Sequence, residues 1–160
     1  MPLVSPHAAS PLIDGRQSER AMMVRRGVQG RLAAMRLSVL PELTLPNGRR
    51  ADLIALSPKG EVWIVEIKTS VQDLRVDGKW PEYRPFCDRL FFATHSGVPA
   101  EIFPAECGLM VADGYDAHLL REAPEHRIAP ARRKAIVLQV AQAAADRLMR
   151  AEHAIAAIPA

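Results

Sequence analysis

The chain has 160 residues, 49% of them apolar, with a formal net charge of +3 and a pI of about 9.2. That length suits one domain with its own core, the apolar share excludes a disordered chain, and the mild basic excess favours a polyanionic partner. No window holds the ~18 apolar residues of a membrane span, Pro2, Pro6, Pro11 and Asp14 interrupt the start as a signal peptide does not allow, and Cys87 and Cys107 lack the spacing of a zinc site, so a cytoplasmic protein is expected.

Residues 1–15 read as a flexible tail and 16–158 as a single domain. Asp14 and Gln17 have the spacing of a capping box. Ala21, Val24, Val28, Leu32 and Met35 then recur at helical spacing. Arg20, Arg26, Arg31 and Arg36 fall on the other side, facing either solvent or phosphates. Glu19 lies in the first turn, where the helix dipole favours an anion. Three strands are expected next, over about 38–45, 50–57 and 61–68. Asn47-Gly48 between apolar runs predicts a type I′ hairpin turn, and Pro58-Lys59-Gly60 predicts a second turn, so the strands form an antiparallel meander.

Residues 69–78 are polar and predict a loop carrying Asp73 and Asp77. It leads into a short, Pro-interrupted helix around Lys79-Trp80-Pro81-Glu82-Tyr83, where Trp80 and Tyr83 either stack on bases or pack against the core. Leu90–Thr94, Gly108–Ala112 and Ala117–Arg121 read as strands, and His126 as a solvated loop residue. From Ala131 a long helix is expected, with Val137, Val140, Ala141, Ala144, Leu148 and Ala151 as its apolar stripe. Arg132, Arg133 and Lys134 crowd its first turn against the dipole. A phosphate, or a carboxylate such as Glu122 or Glu125, would compensate them.

The chemistry concentrates in the second hairpin. Antiparallel pairing across its turn brings Asp52 to the Glu66 end of the next strand, and Glu66 and Lys68 project from one face of that strand. Two carboxylates ~4 Å apart repel by roughly 4 kcal/mol at an effective dielectric near 20. Lys68 offsets part of this. A divalent cation would offset the rest, Mg²⁺ usually being held by one or two carboxylates plus phosphates. Glu42, on the first strand, is either a third acidic group facing that ion or an exposed strand residue. Arg49 and Arg50 flank the first turn as candidate phosphate contacts.

Asp52 followed by Glu66-Ile67-Lys68 resembles the signature of the PD-(D/E)XK nuclease superfamily. Gly48-Arg49-Arg50-Ala51-Asp52-Leu53, Val65-Glu66-Ile67-Lys68, Lys79-Trp80-Pro81-Glu82-Tyr83, Cys87-Asp88-Arg89 and Gly108-Leu109-Met110-Val111-Ala112-Asp113 resemble the MmcB-like DNA repair proteins of bacteria within it. The resemblance extends over roughly residues 20–150. One departure is Ala51, where the superfamily often has Pro before the Asp.

The resemblance implies an α/β fold with a restriction-endonuclease-like core, a central mixed sheet with an antiparallel three-strand meander flanked by helices. It implies DNA as the partner, with repair proteins and a second copy as further candidates, and Mg²⁺ or Mn²⁺ as cofactor. The implied activity is metal-dependent DNA cleavage in bacterial repair. In that reading Asp52, Glu66 and Lys68 are catalytic, and Asp52, Glu66, the Ile67 carbonyl and Glu42 are candidate metal ligands. Arg49, Arg50, Lys79, Tyr83, Arg132 and Arg133 contact DNA, with Glu19, Asp73, Asp77 and Trp80 accessory. The alternative is a catalytically silent nuclease fold that binds DNA and assists repair partners.

Overall fold

The computed structural model describes the backbone of residues 11–159 and the side chains from Glu19 to Pro159. The first helix, α1 (Pro11–Ala34), starts before Asp14. Asp14 is therefore inside the helix instead of capping it, and residues 11–15 are helical rather than tail. The side chains of Asp14 and Gln17, and the rest of the expected tail, lie outside the described residues. α1 ends where Arg36 takes a left-handed φ of 68° and the N–H groups of Arg36 and Leu37 return to the carbonyls of Ala33 and Leu32, both at 2.9 Å. This is the two-bond stop that usually places glycine at the left-handed position.

Six strands follow: β1 (Ser38–Thr44), β2 (Arg50–Leu56), β3 (Val62–Ile67), β4 (Arg89–Thr94), β5 (Gly108–Ala112) and β6 (Ala117–Arg121). They lie side by side in chain order in one sheet. β1, β2 and β3 are antiparallel, β3, β4 and β5 parallel, and β6 antiparallel to β5. The expected meander and mixed α/β sheet are present. The first hairpin turn differs in detail. Leu45 N–H bonds Arg49 O at 2.7 Å, and Gly48 has φ 84° while Asn47 does not enter the positive region. That is a three-residue loop closed by a left-handed glycine, not a type I′ turn. Pro58-Lys59-Gly60 repeats it, with Gly60 at φ 85°.

The two-residue period of the strands separates two cores. Leu53, Ala55, Val65, Phe91, Ala93 and Met110 face α1, which buries Val24, Val28 and Leu32 between them. Gly27 lets α1 approach this closely, because a Cβ there would stand 2.2 Å from the Asp113 carbonyl oxygen. Ile54, Ile64, Leu90, Phe92 and Leu109 face the other way. They are covered by a short helix α2 (Val71–Val76), a 3₁₀ segment (Trp80–Phe86) and α3 (Pro130–Ala156). α2 occupies part of the expected loop.

Only the first half of α3 buries apolar side chains against the sheet. Its buried residues are Ile136 and Val140, with Ala143 alongside, whereas Leu148 is 62% exposed. The expected stripe is thus shifted, because the helix outruns the sheet it covers. No described helix is long and apolar enough to cross a membrane.

Candidate functional site

The ladder between β2 and β3 runs from Leu56↔Val62 to Leu53↔Val65 and stops. Beyond it the two strands are joined by carboxylates. Asp52 N–H donates to Glu66 Oε1 at 3.1 Å, and Ile67 N–H donates to Asp52 Oδ2 at 2.8 Å. Each acid thus occupies a hydrogen-bonding position on the opposite strand and wedges the pair apart. β3 continues on its other side, where Lys68 N–H donates to Ala93 O at 2.9 Å.

Both carboxyl groups sit in a costly environment. Burial pushes Asp52 up, against hydrogen bonding from Ile67 N–H and the charge of Lys68. Burial, and after it the charge of Asp52, pushes Glu66 up to about 8. Glu66 is only 3% exposed. Burial and the charge of Glu66 likewise hold the Tyr83 phenol above its usual range, while Tyr83 Oη donates to Arg50 O at 3.1 Å.

Lys68 is anchored elsewhere than expected. Its Nζ lies 2.8 Å from Asp77 Oδ2. Asp77 is the C-cap of α2, and its other oxygen accepts from Lys79 N–H at 3.0 Å. α2 is itself started by Ser70, whose Oγ accepts from Asp73 N–H at 3.0 Å. Ser70, Asp73 and Asp77 thus build the short platform that holds Lys68.

A cleft of about 230 Å³ opens beside the carboxylates, lined by Ala21, Met22, Arg25, Glu42, Asp52 and Ile67. Glu42 reaches it through a strained backbone, with φ 54°. Arg147 from α3 donates to the carbonyls of Pro41 and Glu42, the second at 2.7 Å, and so braces the kink. Arg25 was not singled out from the sequence. It follows Ala21 by four residues, the spacing that puts two helical residues on one face. Glu19 is exposed on the same helix and does not line the cleft.

The expected phosphate contacts fare unevenly. Arg50 and Lys79 are exposed and have no ion-pair partner among the described residues. Arg49 is paired with Glu82, whose carbonyl also accepts from Asn47 Nδ2 at 3.1 Å. Tyr83 is buried and Trp80 packs edge-on against Phe92 at 6.4 Å. Arg31 is held by Asp116 at 2.8 Å.

Arg133 forks onto Asp88 at 2.5 and 2.7 Å, so neither Glu122 nor Glu125 is its partner. Asp88 itself, 1% exposed, also accepts from Val62 N–H at 2.7 Å and Ile128 N–H at 3.0 Å. The Cys87-Asp88-Arg89 segment therefore ties β3, β4 and α3 together.

A divalent cation fits the donor set at the strand fork. Asp52 Oδ2 and Glu66 Oε1 are engaged by backbone N–H groups, leaving the second oxygen of each acid to serve as a ligand. Two carboxylates, completed by water and phosphate oxygens, are what Mg²⁺ is commonly given. No group of three or more His, Cys, Asp or Glu is gathered for a metal among the described residues, so any further protein ligand would be a carbonyl such as that of Ile67.

Fold and site together define an α/β protein with an open mixed sheet and a buried acidic pair where two strands part. The family model of DNA repair protein MmcB-like matches residues 8–155, and the chain belongs to this MmcB-like family of DNA repair proteins. It is also similar to the solved SPO1766 protein of unknown function from Silicibacter pomeroyi, with 42% identity, 83% of this chain and 91% of that chain covered, and a TM-score of 0.81. No curated protein matches it.

Proposed function

We propose that this protein is a metal-dependent deoxyribonuclease of the PD-(D/E)XK type, acting in DNA repair. The observation that carries the reading is the pair of cross-strand hydrogen bonds, from Asp52 N–H to the Glu66 carboxylate and from Ile67 N–H to the Asp52 carboxylate, which fixes two destabilised carboxylates side by side with Lys68 two residues on from Glu66. A structural pair of this kind would be better replaced by apolar residues.

When bound at Asp52 and Glu66, with the Ile67 carbonyl as a further candidate and Glu42 too far away to make a third acidic ligand, Mg²⁺ or Mn²⁺ would supply Lewis acidity toward the scissile phosphate and a lowered pKa for attacking water. Lys68 supplies a cation for charge developing on the phosphoryl oxygens. Asp77 keeps that ammonium oriented. Arg25 and Arg50 offer positive charge to the incoming backbone, and the Tyr83 wall keeps Glu66 in a low-dielectric setting.

The test is a panel of end-labelled single-stranded, duplex, forked and nicked DNAs incubated with Mg²⁺, Mn²⁺ or EDTA, alongside Lys68→Ala. Cleavage that requires metal and is lost in the variant supports the reading. DNA that is bound and left uncut by both proteins refutes it in favour of a non-catalytic binding module.

A further inference from the structure

A cavity larger than the carboxylate cleft lies away from it. It has a volume of about 950 Å³ and lies between the 3₁₀ segment, the loop before α3 and the first turn of α3. Its lining includes Arg84, His126, Arg127 and Arg132 and contains no acidic residue. None of these arginines forms an ion pair among the described residues, unlike Arg49, Arg89 and Arg133. Two lie over aromatic rings: Arg132 Cζ is 5.0 Å from the Phe86 ring centroid and Arg84 Cζ is 5.9 Å from that of Trp80.

Their remaining partners are carbonyls. Arg132 donates to Pro85 O at 3.1 Å, and Arg84 donates to Glu106 O while its Nη1 has no partner. A ring face beneath a guanidinium restricts its motion without using up its N–H donors, which reduces the entropy lost when it binds an oxyanion. α3 adds to the positive field. Its N-cap is Ala129, with no side-chain cap and no acid in the first turn, so the N–H groups of Ala131 and Arg132 lack helical acceptors.

We propose that this cavity binds phosphate, specifically a backbone phosphate of a nucleic-acid strand. The assignment rests on DNA being the partner of the proposed site and extends the contact surface away from it. Asp88, whose carbonyl accepts from His126 N–H at 2.7 Å, precedes Phe92 by four residues, and Phe92 is the register partner of Glu66. Four strand residues span ~13 Å, roughly four nucleotide rises at ~3.4 Å each. A strand reaching from the carboxylates to the arginines is thus at least several nucleotides long.

The experiment is fluorescence anisotropy with a labelled single-stranded 20-mer across a salt series. EDTA is present throughout so that nothing is cut. The proteins are wild type, Arg127→Gln/Arg132→Gln, Arg84→Gln, and Arg150→Gln as a remote charge control, each checked for folding by circular dichroism. The double variant is expected to bind about tenfold or more weakly at low salt. Its plot of log affinity against log salt should be shallower by about 1.4, at ~0.7 for each phosphate of a single strand that the protein no longer neutralises. The control should match wild type.

Affinity and slope in the double variant equal to those of the control overturn the proposal, as does wild type that binds no nucleic acid. A second arm measures thermal stabilisation by orthophosphate at fixed ionic strength. Stabilisation that needs Arg127 and Arg132, combined with oligonucleotide binding that ignores them, assigns the cavity to a small phosphate ester and overturns the strand. Failure of the nuclease reading is a separate result: no cleavage with metal, whatever the binding in EDTA.

Discussion

Glu66→Gln is expected to stabilise the metal-free protein at high pH and to leave it nearly unchanged at low pH. The substitution keeps an oxygen to accept the Asp52 N–H bond at 3.1 Å and removes only the titration. Glu66 is raised from 4.5 to about 8 by burial and by Asp52, so between those values the folded state holds a proton that the unfolded chain releases. Stability therefore falls as pH rises through this window and levels off above it. An interval of about 3.5 pH units at ~1.4 kcal/mol each gives a ceiling of about 5 kcal/mol, and relaxation and coupling to Asp52 bring the expectation to the order of 2 kcal/mol. In a domain of this size that corresponds to about 4–8 °C in melting temperature. The assay is thermal or urea unfolding of wild type and variant at pH 5 and pH 8.5 in EDTA. A difference that is the same at both pH values, or larger at pH 5, refutes the reasoning, because it would mean that Glu66 ionises in the fold as it does in water.

Further outcomes follow from the same geometry. Mg²⁺ titrated into wild type near pH 7 should release protons and bind more tightly at pH 8.5 than at pH 6, since the ion must displace protons from the raised pair; calorimetry in buffers of different ionisation enthalpy reads this, and buffer-independent heats would count against it. Lys68→Ala should reduce cleavage by orders of magnitude with DNA affinity largely kept, and equal losses of both would remove the role assigned to Lys68. Asp77→Asn should lower kcat about tenfold with little change in KM, because it frees Lys68 without removing it; unchanged kcat would mean that the 2.8 Å pair is only structural. Asp88→Asn should cost about 3 kcal/mol in urea unfolding by leaving the Arg133 guanidinium without its carboxylate, and a loss well under 1 kcal/mol would contradict the buried fork.

Strand positions were legible because Gly48 and Gly60 punctuate runs whose apolar residues alternate or fill both faces. The Asp52–Glu66 meeting followed from hairpin register alone. What was not legible depends on where a distant segment lands. Arg49 looks like a phosphate contact until the 3₁₀ segment brings Glu82 onto it, and Arg133 until Asp88 meets it across 45 residues. Lys68 was expected to serve the carboxylates, but its partner Asp77 is presented by α2, a six-residue helix too short to register as periodicity. The stripe on α3 was misplaced for a similar reason. An alanine-rich helix offers several plausible faces, and Ile136 and Val140 are selected by the sheet they meet. Glu42, left open between two roles, is turned toward the cleft by a backbone twist that nothing in its side chain announces.

Asp88 also constrains the order in which the chain can be completed. Its carboxylate is fully satisfied only when Val62, Ile128 and Arg133 are all in place, and these sit 26, 40 and 45 residues away along the sequence. During synthesis β3 and β4, which flank Asp88, emerge well before the start of α3. Until α3 clears the ribosome, closing the sheet around Asp88 would bury a charge lacking its counter-ion, which costs several kcal/mol. The parallel half of the sheet is thus kept from settling early, and the domain is expected to acquire its native packing as one unit only once Arg133 has arrived.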